Sequence, residues 1–145
     1  MQLSPHFTLE EMVLSQTATR LGIDNTPSAD IIKNLRSTCI QAEQVRALLD
    51  HPMLISSGYR SPMLNRHLGG VPTSAHTQGW AMDFICPSAG TPVQIVTMIH
   101  NALITVDQCI QEGTWVHISF APTYRMQFMN AVFDANGKAS YSTFA

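Results

Sequence analysis

The sequence is poor in charge and in long apolar runs, and each shortage excludes a class of protein. Only 12% of its 145 residues are charged, and the net charge is −2. The eight Lys and Arg residues are scattered, so the chain has no basic patch of the kind that binds nucleic acid, and we expect no nucleic-acid partner. No apolar run approaches the roughly 20 residues that a membrane-spanning helix needs, so we expect no membrane anchor.

Cysteine is also scarce, and a targeting segment is not evident. Cys39, Cys86 and Cys109 are odd in number and lack C-x-x-C spacing, so we predict reduced, buried thiols rather than a disulfide framework. The opening "MQLSPHFTLEEM" has no basic segment followed by an apolar one. We therefore expect synthesis in the cytosol without a signal peptide, and any action outside the cell would need another protein for release.

Hydrophobic residues make up 45% of the chain, enough to bury a core, and no linker or repeat divides positions 1–145. The apolar spacing predicts a helix over 7–25 with Thr8 as N-cap. A longer helix is predicted over 28–50, and another over 91–103 with Val93, Val96, Ile99 and Leu103 on its apolar face. We expect a single domain.

The rest of the chain has the signals of strands and turns. Short apolar runs predict strands over 53–59 and 80–86, with a short helix over 61–70 between them. A hairpin is predicted where 106–112 and 115–121 flank the turn at Gly113, and the tail holds one more strand. Helices followed by strands predict an α+β fold, with a small, mostly antiparallel sheet packed against the N-terminal and central helices.

Three residues form a candidate metal site. Strand alternation places Asp83 on one face of its predicted strand and His117 on a face of the hairpin, while His76 lies in the loop before Asp83. Two imidazoles and one carboxylate suit Zn²⁺ and leave one of four tetrahedral positions free for water. On spacing alone, ordinary hydrogen-bonded side chains are the commoner explanation of such residues.

Three segments, "SSGYRSPMLN", "TSAHTQGWAMDF" and "WVHIS", resemble the zinc D-alanyl-D-alanine carboxypeptidases and the cell-wall endopeptidases of phage and bacteria. This group is related to the vancomycin-resistance dipeptidases and shares its fold with the Hedgehog signalling domain. Its hallmark S-x-H-x-x-G-x-A-x-D, followed by W-x-H, is complete here. The matching residues are Ser74, His76, Gly79, Ala81, Asp83, Trp115 and His117. The resemblance covers positions 7 to about 120.

The resemblance implies a role for each matching residue. It implies that Zn²⁺ is bound by three ligands, His76, Asp83 and His117. It also implies that Arg60 grips the substrate, for which a planar guanidinium is suited, although a surface ion pair is the simpler role for an arginine. Ser74 is expected to contact substrate or to cap a turn. Trp115 is expected to line the pocket or to pack in the core.

The general base departs from the family pattern. Better-known members carry an acidic residue three positions before the last histidine ligand, where this chain has Thr114. The nearest acid is Glu112, which the turn at Gly113 would return toward the metal, so we take Glu112 as the candidate base. Asp107 is a second candidate. The alternative is that Glu112 is a solvated acid at the end of the hairpin.

The resemblance implies a zinc metallopeptidase that cleaves peptidoglycan stem peptides, either as a D-Ala-D-Ala carboxypeptidase or as an endolysin-like cell-wall endopeptidase. The displaced acid keeps a second function open, a catalytically inactive, zinc-stabilised wall-binding or structural module of the same fold. A site that binds no zinc is a third. A phage lysis enzyme released by a holin and a cytosolic recycling enzyme both fit the sequence.

Overall fold

The computed structural model describes residues 1–144, and this part of the chain contains five α-helices and eight strands. The helices are α1 (Leu9–Val13), α2 (Gln16–Leu21), α3 (Ala29–Leu49), α4 (Pro62–His67) and α5 (Pro92–Asn101). The strands are β1 (Gln2–Ser4), β2 (Phe7–Thr8), β3 (Leu54–Ser57), β4 (Ala81–Ile85), β5 (Gln108–Gln111), β6 (Val116–Ser119), β7 (Gln127–Phe133) and β8 (Ala139–Thr143). None of these helices is long and apolar enough to cross a membrane.

The α+β class is confirmed, and the larger sheet is mixed. β1 and β2 form a separate two-stranded sheet. The six-stranded sheet has the order β3-β4-β6-β5-β7-β8, and its pairs are antiparallel except for the parallel pair of β5 and β7. The tail was predicted to hold one strand, which is wrong, because β7 and β8 pair as a hairpin. The second strand was missed because its alternating residues are mostly exposed and polar.

The predicted helix over 7–25 is wrong in its extent. Thr8 does cap α1, and Glu11 completes the capping box, as predicted. However, the chain turns to an extended conformation at Leu14, whose side chain is exposed, and the Ser15 hydroxyl accepts a hydrogen bond from the Ala18 amide to start α2. Because the Ser15 hydroxyl accepts a hydrogen bond from a backbone amide, it competes with the helical bonding pattern, and one helix ends where the next begins.

The other predicted helices are present, with one correction. Ser28 caps α3, and Leu35, Cys39, Ala42, Val45 and Leu49 are buried along one face, as predicted. In α5, Val96 and Ile99 are buried with Ile95. Val93 and Leu103 were predicted on this apolar face, but they are 50% and 81% exposed. The helix ends at Asn101, so Leu103 lies beyond it.

One face of the six-stranded sheet packs into the core, and the opposite face carries the polar residues of the site. Met82 and Phe84 of β4 and Val116 and Ile118 of β6 are fully buried in the same cluster as α3 and α5 residues. The three cysteines are buried free thiols, as predicted. Because side chains alternate along a strand, Asp83 and His117 face away from this cluster.

Gly79 lies in the loop that precedes β4 and packs against the long helix α3. Its φ of +78° is a left-handed conformation that favours glycine, and a Cβ there would lie 3.1 Å from both the Ile31 carbonyl oxygen and Leu35 Cγ. The carbonyl oxygen of Gly79 accepts a hydrogen bond of 2.7 Å from the buried Thr38 hydroxyl. The loop is therefore held directly against α3.

Replacing Gly79 with alanine tests this close approach, and Gly22→Ala is a matched control. Both glycines end a helical turn at positive φ, but a Cβ at Gly22 would have no atom within 4 Å. We expect Gly22→Ala to lower the free energy of unfolding by about 1 kcal/mol through the left-handed backbone alone. Gly79→Ala should lose at least about 1 kcal/mol more because α3 must shift. Equal losses in urea unfolding would contradict the close contact.

Candidate metal centre

The three predicted ligands meet at one point. One ligand atom from each of His76, Asp83 and His117 lies within 4.8 Å of the other two. The Asp83 Oδ1 atom is 3.2 Å from His76 Nε2 and 3.0 Å from His117 Nδ1. All three side chains are largely shielded from solvent. The structure therefore brings together residues as far apart in sequence as His76 and His117, which are 41 positions apart.

Two paired strands and a 3-10 turn place these side chains. Asp83 of β4 and His117 of β6 are direct partners in the antiparallel register, so their side chains share one face at adjacent positions. His76 lies in a 3-10 turn, Ala75–Gln78, that immediately precedes β4. Ser74 caps that turn, because its hydroxyl accepts a hydrogen bond of 3.3 Å from the His76 amide. Ser74 thus supports a ligand directly.

The orientation of the His76 ring is set by a residue that sequence reasoning missed. His76 Nδ1 lies 2.7 Å from the Gly58 carbonyl oxygen, which can only accept, so Nδ1 carries the proton and Nε2 presents its lone pair toward Asp83. Gly58 itself packs on α1, where an added Cβ would lie 2.3 Å from the Met12 carbonyl oxygen. Any side chain at position 58 would push this carbonyl away from His76.

The electrostatics of the cluster suit a cation. Burial lowers the pKa of His76 and outweighs the opposing effect of Asp83, which favours the neutral imidazole, the form that binds a metal. Burial alone raises the pKa of a carboxyl, but His76 and His117 beside Asp83 outweigh it and hold its pKa below the usual range. Two imidazole nitrogens and one charged carboxylate oxygen match the donor set of a zinc site.

Arg60 packs against the candidate metal ligands, and its side chain is only 16% exposed. Its guanidinium donates to Asp83 Oδ2 at 3.3 Å and to the Ser57 hydroxyl at 3.0 Å. The backbone amide of Arg60 also donates to the His76 carbonyl oxygen at 3.1 Å. The observed contacts therefore orient Asp83 and tie the Arg60 segment to the His76 turn.

The long helix supports the same turn from the other side. The Asn34 side-chain amide donates to the Gln78 carbonyl oxygen at 2.8 Å, and Thr38 donates to the Gly79 carbonyl oxygen. The periodicity of α3 predicted only a buried apolar face, and nothing in the sequence indicated which of its polar residues reach the turn.

A cleft of about 680 Å³ opens beside the ligands. Among the predicted site residues, His117, Glu112 and Ser74 line it. Arg60 and Trp115 are not among the described residues that line this cleft, whereas Trp80, for which no site role was predicted, is. Trp80 precedes the first residue of β4, so the alternation of that strand does not govern its direction.

Glu112 lies at the rim of the candidate centre, where the β5–β6 hairpin turns. Its amide donates to the Trp115 carbonyl oxygen at 2.9 Å, and Gly113 takes a φ of +84°, as the predicted tight turn requires. Burial raises the pKa of Glu112, Asp83 adds to the rise, and His117 and Arg60 oppose it. Within residues 1–144 its carboxylate makes no hydrogen bond, so it is free to act on a ligand.

Asp107, the second candidate base, is already engaged. Its buried carboxylate accepts hydrogen bonds from the Thr123 hydroxyl and from the backbone and side chain of Arg125. These bonds, led by those from the Arg125 side chain, lower the pKa of Asp107 to about 2. A carboxylate held this way is a poor proton acceptor.

The family to which the sequence is similar bears on what this cluster can do. The sequence model of the family described as Peptidase M15 matches residues 5–119. No curated protein sequence matches the chain as a relative. The matched range contains all three ligands, Arg60 and Glu112, and it ends before β7.

Replacing His117 with alanine should remove metal binding. We expect the purified protein to retain zinc after dialysis, and His117→Ala to retain far less, because two remaining donors hold Zn²⁺ weakly. Elemental analysis after dialysis against a weak chelator measures this. His67→Ala is the matched control, since His67 is exposed at the end of α4. Equal zinc contents in His117→Ala and the parent protein would refute the site.

Replacing Asp107 with asparagine should make stability depend differently on pH. The folded pKa of about 2 lies below the ordinary value of 3.8, so ionised Asp107 stabilises the fold above about pH 4 and loses that contribution as the pH falls toward 2. Because Arg125 is partly exposed, we expect Asp107→Asn to cost about 1–2 kcal/mol at pH 7. Urea unfolding should show this difference shrink between pH 4 and 2. A difference independent of pH would contradict this role.

Proposed function

Because the chain belongs to the Peptidase M15 family, we propose that it is a zinc metallopeptidase that hydrolyses peptide bonds in peptidoglycan stem peptides. The observation that carries the proposal is the convergence of His76, Asp83 and His117 beside a cleft that also contains Glu112. The site combines a metal-binding donor set, an acid with an unpaired carboxylate and space for a peptide. Those are the parts that metal-assisted hydrolysis needs.

We assign the metal to the three converging ligands. Zn²⁺ bound there would polarise the scissile carbonyl and lower the pKa of a water molecule. The protein's part is to hold His76 through the Gly58 carbonyl and Asp83 through Arg60, so that neither ligand can rotate away. A neutral His76 is ready to bind without first losing a proton.

Glu112 is the proposed general base. It stands at the turn of the hairpin whose second strand carries His117, so one short element positions both residues. Glu112 takes the proton from the attacking water and passes it to the leaving amine. Its raised pKa, relative to an ordinary glutamate, brings it closer to the value that a base acting near neutrality needs.

Three further residues keep proposed substrate roles. Ser74 lines the cleft and is placed to contact the peptide while it caps the His76 turn. Arg60 uses three of its five donor hydrogens on Ser57, Asn65 and Asp83, and the remaining two are available to orient a substrate oxygen. Trp115 is not among the described residues that line the cleft, so it would contact only a peptide that extends beyond the cleft.

Glu112→Gln tests the mechanism, because it removes the proton acceptor and keeps the side-chain shape. We expect hydrolysis of purified peptidoglycan to fall about 10²- to 10⁴-fold while bound zinc is unchanged. Mass spectrometry of the digest gives both the rate and the bond, so it also separates removal of a terminal D-Ala from internal cleavage.

Glu10→Gln is the control for this experiment, because Glu10 is an exposed carboxylate on α1 that does not line the cleft. It should cleave at the parental rate. If zinc-loaded parent protein cleaves nothing over a range of pH, the proposed activity is wrong. If Glu112→Gln cleaves as fast as the parent, only the assignment of the base is wrong.

A further inference from the structure

Arg125 projects into the same cleft from the segment between β6 and β7, beyond the residues that match the family. Among the described residues that line the cleft, it alone carries a permanent positive charge. Its side chain is 48% exposed, whereas the Asp107 side chain that it contacts is only 2% exposed. One edge of the Arg125 guanidinium is thus bound to Asp107, while about half of the side chain stays exposed.

Four hydrogen bonds to the Asp107 carboxylate hold Arg125 and its neighbour Thr123 in place. Asp107 Oδ1 accepts from Thr123 Oγ1 at 2.7 Å, from the Arg125 amide at 3.0 Å and from Arg125 Nε at 2.9 Å. Asp107 Oδ2 accepts from an Arg125 terminal nitrogen at 2.8 Å. A two-point contact of this kind fixes the plane of the guanidinium as well as its position. Little rotational freedom remains to be lost when a ligand binds.

The backbone on both sides of Arg125 is in an unfavourable conformation. Tyr124 and Met126 have φ of 40° and 54°, in the left-handed region that residues other than glycine rarely adopt. Such a conformation persists only where surrounding contacts determine it, and it is more frequent at functional sites. Here the bonds from Thr123 and Arg125 to Asp107 supply those contacts, and they hold Arg125 where it lines the cleft.

The free donors of Arg125 define what it can bind. A guanidinium has five N–H groups, and Asp107 takes two of them, so three remain. Glu112 lines the same cleft and would repel an anion that lay beside it rather than at Arg125. A planar anion with two oxygens, a carboxylate, fits the remaining edge of the guanidinium.

We propose that Arg125 is a specificity-determining residue that binds a carboxylate of the peptide substrate. This inference rests on the proposed function, because the stem peptide named there as the substrate is what carries the carboxylate. Stem peptides present carboxylates from two sources, the chain terminus and the D-glutamate residue. Asp107 is the positioning residue that holds the guanidinium in place, and the strained segment 124–126 carries it into the cleft.

Peptide binding to the zinc-loaded Glu112→Gln protein tests this inference without cleavage. The probes are the pentapeptide L-Ala-γ-D-Glu-L-Lys-D-Ala-D-Ala and two analogues, one amidated at the C-terminus and one with the D-glutamate carboxylate converted to an amide. Calorimetric titration should show one analogue binding at least about tenfold more weakly than the parent peptide. That analogue identifies the source of the carboxylate.

Arg125→Gln in the same protein should bind that analogue and the parent peptide equally. Arg66→Gln is the matched control, because Arg66 is exposed on α4 and does not line the cleft, so it should keep the full preference. Should Arg125→Gln fold poorly, the double variant Asp107→Asn/Arg125→Gln removes the unpaired buried charge and is expected to show the same loss of preference.

Two results would overturn the inference: no preference between the parent peptide and either analogue before Arg125 is changed, or a preference that survives Arg125→Gln. Failure of the proposed function gives a different pattern. In that case the protein with Glu112 intact cleaves no peptidoglycan, while the preference for the carboxylate and its dependence on Arg125 remain measurable by binding.

Discussion

The site depends on one constraint, the burial of the charged carboxylate of Asp83. A buried charge is costly unless it is paired and hydrogen-bonded, so the groups around it are not free to vary. His76, His117 and Arg60 each contact one of its oxygens. The pairing of β4 with β6, the 3-10 turn and the segment after β3 are the elements that deliver these three partners. The same requirement explains why the cluster suits a cation. The Asp83 carboxylate supplies the negative charge, and the two histidines beside it supply neutral nitrogen donors.

The convergence of His76, Asp83 and His117 was predictable because the motif and the strand alternation act locally. Asp83 and His117 had to face away from the core once Met82 and Ile118 faced into it, and the hairpin turn at Gly113 followed from a short-range signal. What the sequence could not show are contacts between distant backbone atoms. The Gly58 carbonyl that orients His76 is 18 positions away. A glycine in a strand-like segment gives no indication of which atom will approach it.

The errors in the fold have the same origin. Periodicity predicted one helix over 7–25, but a hydroxyl at Ser15 competed with the helical backbone and divided it. The strand β8 was missed because most of its residues are exposed, so no apolar alternation marked it. In both segments the local sequence pattern is weak, so the secondary structure depends on hydrogen-bond partners that the pattern does not show. The same is true of Arg125, whose position depends on the buried Asp107 one strand away rather than on its own neighbours in sequence.

The cleft thus has two walls of different origin. The candidate ligands and Glu112 come from the residues that match the family, while Arg125, Met129 and Tyr141 come from the segment beyond that match. The parallel pairing of β7 with β5 joins the walls, since β5 leads directly into the turn that carries Glu112. Chemistry that is common to the family requires only the first wall. Under the proposed function, selection among peptides would use contacts farther from the scissile bond, and the second wall is where such contacts can differ without disturbing the buried carboxylate of Asp83.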